Sequence, residues 1–388
     1  MQVRRLTQGD LMASAAIGSI SFLYPLDEAN YRAEVEAGRV STDGRWGCFA
    51  DSGELAASIH NNRFDIHYDG SVVRMGGIGG VCTLPEHRYG GAVRRIFELL
   101  LPAARAEGEV FSMLYPFSHE FYRKFGYELC DEAQNYKFPL AQLAGYKFAG
   151  AVRPLKLDRE HPDDVKLVTA LYNRFAARYN ASIRRDDERT MGMGAARPLK
   201  EQTFCYLLGP DDRPAAYLRY RMNTEDNERV LHVTDYAIDG RAGLLAMLGF
   251  LGRMSSDFRH CRIRLPIDVP LASLLPNPYD VERKVGHSLM VRATNAAEAL
   301  ARIAMPEGVR VAVRVTDEFM PQNTGTYCVG GGAAAPTDRP ADIILSARAL
   351  GPLCLGYLGL HEAALRPDVS IAGNEEALAA TFVKKPLY

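Results

Sequence analysis

A chain of 388 residues, 47% hydrophobic and 24% charged, is too long for one ordinary core and has the composition of a soluble globular protein of two or three domains. Its 46 Lys and Arg against 47 Asp and Glu leave a formal charge of -1, which gives no reason to expect nucleic acid as a partner. No apolar run reaches the roughly 18 residues of a membrane span, the N-terminal apolar stretch follows Gln8, Gly9 and Asp10 and does not read as a signal peptide, and the seven cysteines are scattered singly, as reduced thiols in a cytoplasm are, without disulfide or metal-site spacing.

Taken in order, "MQVRRLT" reads as a strand, Asp10 opens a helix to about Phe22, and "DEANYRAEVEAGR" continues as a second helix. Strand-like runs follow at "RWGCFAD", "LAASIHNNRFDIHYDG" and "SVVRMGGIGGVCTL", separated by turn residues. A helix runs from about Gly91 to Glu107, with apolar residues at Val93, Ile96, Phe97, Leu99, Leu100 and Leu101. Then come the buried-strand pattern "VFSMLYPF", a short helix in "SHEFYRKFG" and a strand in "YELCDEAQNYKFPL". This order is that of an α/β domain over residues 1–150.

A weaker copy of the order spans 151–284. "TFCYLLGPDDRPAAYLRYRM" repeats the strand, turn and strand, and "RVLHVTDYAIDGRAGLLAMLGFLGRM" repeats the strand and helix, but "AIDGRAGLLAM" lacks the His-Arg and Gly-Gly residues of the first copy. From about residue 285 the pattern suggests a smaller α+β domain, in which "GGGAAAPTDRPA" reads as a loop.

Chemistry concentrates at "VCTLPEHRYGGAV", Val81 to Val93. Two glycines at the start of a helix cost roughly 1 kcal/mol each against alanine in a helix interior, so they call for a reason. A helix N-terminus offers unpaired N–H groups and a partial positive charge, and glycine lets an anion approach that backbone, so a phosphate site is expected here. The Walker pattern and GxGxxG are absent from this turn. "GGIGG", Gly76 to Gly80, precedes the strand end and reads as a bulged or closely approached strand.

Arg88-x-x-Gly91-x-Val93 resembles the pyrophosphate-loop signature of the GNAT acetyltransferases, and "EFYRKFGYEL" resembles the F-Y-x-x-x-G-F/Y motif that follows it in them. The whole layout is similar to the Eis (enhanced intracellular survival) family: tandem GNAT folds, the second degenerate, then a sterol-carrier-like domain over 285–388, where "VTDEFMPQNTGTYCV" and "LGPLCLGYLG" carry the likeness. The resemblance implies that acetyl-CoA lies along Val81, Cys82 and Thr83, with its pyrophosphate over Arg88, Tyr89, Gly90, Gly91, Ala92 and Val93. It implies that Tyr122 is the general acid and that the terminal carboxylate, on Tyr388, reaches the active site to anchor the acceptor ammonium. It also implies a homo-oligomer, a hexamer by analogy, acting on a small-molecule amine, aminoglycoside-like, or on lysine. An apolar-ligand carrier and a non-catalytic acyl-CoA-binding scaffold are the competing functions. His87 and His119 fit loop and cap positions, Phe22, Tyr24 and Trp46 fit either an acceptor pocket or the core, and Asp27, Glu28, Asp131 and Glu132 are candidates to hold a cationic acceptor.

Overall fold

The computed structural model describes every residue except Glu132, Gly194, Ala195, Asp211, Asp226, His287 and Tyr388. Two compact units divide the chain: Met1–Asp65, Val73–Cys130 and Ser288–Lys384 form one, and Ile66–Val72, Asp131–His287 and Lys385–Tyr388 form the other.

In the first unit, which excludes the β3–β4 tip at Ile66–Val72, the elements are β1 (Gln2–Arg5), α1 (Leu11–Phe22), α2 (Glu28–Glu36), β2 (Arg45–Phe49), β3 (Leu55–Tyr68), β4 (Ser71–Thr83), α3 (Ala92–Ala106), β5 (Glu109–Leu114), α4 (His119–Arg123) and β6 (Glu128–Leu129). Local chemistry sets their ends. The Asp27 carboxylate accepts from the Asn30 amide at 3.0 Å to start α2, and Ser118 Oγ accepts from the Phe121 amide at 3.2 Å to start α4. Helix α3 turns Ile96, Phe97, Leu100, Leu101 and Ala104 inward, the apolar stripe that its spacing requires.

The second unit contains β7 (Gln134–Pro139), β8 (Val152–Pro154), α5 (Pro162–Ala176), α6 (Asp187–Gly192), α7 (Pro198–Glu201), β9 (Thr203–Leu208), β10 (Ala216–Glu225), β11 (Glu228–Ile238), α8 (Gly240–Gly252), β12 (His260–Leu265), α9 (Leu271–Leu274) and β13 (Glu282–Val285). Its sheet has the order β13-β7-β12-β11-β10-β9-β8, with β11 and β12 parallel.

After it, β14 (Met290–Ala293) returns to the first unit and inserts between β5 and β6, giving the order β1-β2-β3-β4-β5-β14-β6. The run read as one strand, "YELCDEAQNYKFPL", is therefore two: β6 stays in the first sheet and β7 belongs to the second. The remaining chain forms a five-stranded sheet over Val311–Ile371, on which the helix Ala347–Leu355 packs a nearly continuous buried surface. Within "GGGAAAPTDRPA", expected to be a loop, Ala333–Pro336 pairs as an edge strand with Tyr327–Gly330. Small side chains give no period for a strand to be read from, yet a paired backbone needs none.

Candidate active site

Strands β4 and β5 run parallel and pair from Arg74 and Glu109 to Ile78 and Leu114. There β5 ends, while β4 continues to Thr83. Past Ile78, β4 therefore has no β5 partner, and the polar backbone edge of Gly79–Thr83 is left to bond something else. A left-handed Gly80, φ +56°, bends the strand at this divergence. The "GGIGG" segment lies inside β4, where glycine is required by crowding: a Cβ at Gly76 would stand 2.2 Å from Glu109 Oε2, and one at Gly77 would stand 2.4 Å from the Phe64 ring. Gly76 and Gly77 are thus packing positions within the strand.

Beyond β4, Pro85 to His87 make a single tight turn, and Tyr89 and Gly91 both adopt left-handed backbone, φ +63° and +77°. Successive turns of this hand aim backbone N–H groups into one concavity. Gly91 is the N-cap of α3, and no side chain caps the helix there, so its leading amides are open to an anion. Among the described residues, and its own chain neighbours aside, nothing lies within 4 Å of a Cβ built at Gly91, whereas one at Gly90 would meet the His87 carbonyl oxygen at 3.3 Å. The turn thus keeps a clear approach at Gly91, and Gly90 shapes its floor. Arg88 and Tyr89 are exposed at the rim, Ala92 is buried beneath it and Val93 is half-buried. Uncapped amides, a clear approach and an exposed guanidinium are features that suit an anion such as a diphosphate.

Where β5 departs, the chain enters α4 and carries Tyr122 with it. The Tyr122 side chain is 2% exposed, and its ring is edge-on to Phe97, Phe121 and Tyr127, with centroids 6.4, 5.2 and 6.2 Å away. Burial pushes the phenol above its ordinary range, so it holds its proton at any physiological pH. Its carbonyl accepts from the amides of Phe125 at 2.9 Å and Tyr127 at 3.4 Å, which folds the "FYRKFGY" run back on itself around a left-handed Gly126.

Several sequence candidates are claimed by other partners. Cys82 is buried, its Sγ 3.2 Å from Ser58 Oγ, and burial raises its thiol, so it offers backbone to a ligand and no thiolate. His87 Nε2 lies 3.3 Å from the Glu54 carboxylate, and His119 opens α4 behind its Ser118 cap. Asp27 is spent capping α2; Asp131, in the second unit, accepts from Arg264 at 3.1 Å and from the Ala133 amide at 3.0 Å. Glu28 stands in the exposed first turn of α2, Phe22 and Tyr24 are exposed, and Trp46 lies under the Arg5 guanidinium at 5.0 Å. Glu132 and Tyr388 lie outside the described residues. Just before Tyr388, in the second unit, Lys385 pairs with the Asp69 carboxylate and Leu387 bridges to Asn180. Lys384 pairs in the first unit with Glu362 at 3.5 Å. Sequence reasoning missed Ser112, whose hydroxyl bonds Tyr127 Oη at 2.6 Å behind Tyr122, because a lone serine in an apolar strand carries no signal.

Residues 2–130 match the acetyltransferase (GNAT) domain, residues 174–303 match a second acetyltransferase (GNAT) domain, and residues 296–388 match the sterol carrier protein domain. The chain is a GNAT acetyltransferase with a C-terminal sterol carrier protein domain. No curated protein matches its sequence. In fold, the acetyltransferase is similar over its whole length to a GCN5-related N-acetyltransferase from Anabaena variabilis (20% identity, 98% of this chain and 96% of that one, TM-score 0.84). It is likewise similar to one from Kribbella flavida (22%, 100% and 98%, 0.81) and to Eis1 from Mycobacterium abscessus (19%, 100% and 98%, 0.80). Among the described residues of the acetyltransferase, no helix is long and apolar enough to cross a membrane.

Proposed function

We propose that this acetyltransferase moves an acetyl group from acetyl-CoA to a primary amine of a polycationic small molecule, aminoglycoside-like, or of a lysine. The observation that carries the reading is the divergence of β4 and β5 after Ile78 and Leu114, because one strand leads to the open N-terminus of α3 and the other to Tyr122. Acetyl-CoA supplies an acyl carbon already activated as a thioester. The Gly79–Thr83 edge aligns the donor by backbone hydrogen bonds, and the amides behind Gly91, with Arg88 at the rim, hold its pyrophosphate.

The acceptor nitrogen, once deprotonated, attacks the thioester carbon; a C–N bond forms, the C–S bond breaks, and the sulfur leaves with the electron pair. Tyr122 donates its hydroxyl proton to that sulfur and regains one through water from the newly acylated nitrogen, while the proton first shed by the ammonium passes to solvent. A thiol titrates near 8.5 and a free phenol near 10, so burial of the phenol alone would oppose the transfer. Burial penalises the leaving thiolate in the same way, so the two pKa values rise together and the hydrogen bond between them gains strength in a drier site. The terminal carboxylate of Tyr388 is assigned to anchoring the acceptor ammonium, and removal of Tyr388 tests that role directly.

The experiment is a panel of amines assayed with acetyl-CoA by thiol release, together with calorimetry of acetyl-CoA binding. Binding with turnover on polyamines is the expected result. An absence of acetyl-CoA binding would end the reading.

A further inference from the structure

The motif "VTDEFMPQNTGTYCV" has no part in the chemistry described so far, yet its first half touches the catalytic turn. Arg292, on β14, is fully buried, and Asp317, which opens the loop of that motif, is 3% exposed. The Arg292 guanidinium donates from Nη2 to Asp317 Oδ2 at 2.5 Å and from Nη1 to the carbonyl oxygen of Phe125. Phe125 is three residues beyond Tyr122, and its amide bonds the Tyr122 carbonyl. Gly126 is left-handed at φ +80°, and a Cβ there would stand 3.0 Å from Arg292 Nη1. The turn and the guanidinium are fitted to each other.

The Asp317 loop is itself tied down. Asp317 Oδ1 accepts from the Met320 amide at 2.9 Å, and Oδ2 accepts from Asn323 Nδ2 at 3.0 Å. Asn323 Oδ1 accepts from the Ala296 amide at 3.1 Å and also from Arg105, near the end of α3. Phe319, from the same loop, stands edge-on to Phe125 at 5.2 Å, and Arg94 of α3 lies 5.4 Å from the Phe319 ring. One loop of the sterol-carrier-like region therefore braces both the helix that faces the cofactor phosphates and the turn that follows the acid.

A buried ion pair is weak evidence for stability, because desolvation cancels much of its attraction. Arg292 makes a planar, two-pronged contact whose second prong ends on a backbone carbonyl of the Tyr122 turn, which points to geometry as its purpose. We propose that Arg292, held by Asp317, is a positioning residue that fixes the Phe125 carbonyl and with it the Tyr122 hydroxyl, so that the third region serves the acetyl transfer as a brace. The inference rests on the reading of Tyr122 as the acid.

A double-mutant cycle of Arg292→Lys with Tyr122→Phe tests it. Arg292→Lys keeps the charge and loses the fork. Alone, it should lower kcat by about 10- to 100-fold, the loss that a displacement of about 1 Å produces, with the KM for acetyl-CoA within about twofold. In the Tyr122→Phe background it should cost less than about twofold, because there is no hydroxyl left to misplace. The same loss in both backgrounds, or a raised KM with kcat intact, overturns the proposal while leaving the acid reading in place. If Tyr122→Phe by itself leaves kcat unchanged, the acid reading is what has failed. The cycle is repeated with Arg292→Met/Asp317→Leu, which removes the two charges together, its fold being checked by near-UV circular dichroism; unchanged kcat in a folded double variant also overturns the proposal.

Discussion

The two acetyltransferase folds of this chain differ most where strand meets helix. In the first, Leu84–Gly91 separates β4 from α3 and carries two left-handed residues, Tyr89 and Gly91. In the second, Asp239 alone separates β11 from α8. Its amide is taken by the Ala215 carbonyl at 2.8 Å, and its own carbonyl accepts from Gly243 at 3.1 Å. A Cβ at Gly243 would stand 2.2 Å from the Ala215 oxygen, so the helix is pressed against the neighbouring turn, where the first copy keeps clear space. The strand end is occupied as well, since Arg178 donates to the Ile238 carbonyl at 3.2 Å. Beside the amides that a phosphate would seek, the second copy places a carboxylate. The strand divergence survives, since β12 pairs β11 only over Val230–His232. Divergence is therefore a property of the fold, and the cradle is an addition to it.

Making the first copy resemble the second should damage it in graded steps. The largest effect is expected from Tyr122→Phe, which removes the proposed proton donor; kcat should fall by about 10²- to 10⁴-fold while acetyl-CoA still binds, as stopped thiol-release assays and calorimetry can read together. Gly91→Asp imports the carboxylate of the second turn and forces a side chain into left-handed backbone, at a cost of about 1–2 kcal/mol from strain alone. Calorimetry should show acetyl-CoA affinity weakened at least about tenfold, with the melting temperature lowered slightly; unchanged affinity would remove the pyrophosphate from this turn.

The pH profile gives a third, smaller test. Because burial raises the Tyr122 phenol, its proton-bearing form persists to higher pH than that of an exposed tyrosine, and kcat should show no decline on the alkaline side up to about pH 9.5. A fall centred near pH 8 would exclude this phenol as the acid. The reverse experiment should do nothing at all: Asp239→Gly frees the second turn of its carboxylate, yet the neighbouring Ala215 and Arg178 contacts remain, so calorimetry should still count one acetyl-CoA per chain.

Most of the first fold is legible in the sequence because its signals are local. The apolar stripe of α3, the capping serine before α4 and the proline after β4 each act within a few residues. The Tyr122 motif is legible through its resemblance to a family pattern, and in the structure "FYRKFGY" forms a turn that closes on its own backbone. What could not be read is where a strand pairs. Nothing in "MVRA" says that β14 belongs between β5 and β6, and Arg292 within it reads as one more surface charge until its burial is seen. Acidic side chains mislead in the opposite direction. Asp27 and Asp131 looked available for a cationic acceptor, but a short carboxylate is also a good cap and a good arginine partner, and both are used that way.

Strand exchange also sets a timetable. Strand β5 emerges early in synthesis, but its neighbour β14 ends at residue 293, so at about 5–20 residues per second the first sheet waits on the order of 10 to 40 s for completion. Until then one side of β5, an entirely buried strand in the finished protein, presents unpaired backbone beside apolar side chains. The Tyr122 turn is formed from chain made early and secured by chain made late. A product terminated near residue 150 would carry every residue of the glycine turn before α3 and still lack the strand on which its own Tyr122 turn is hung.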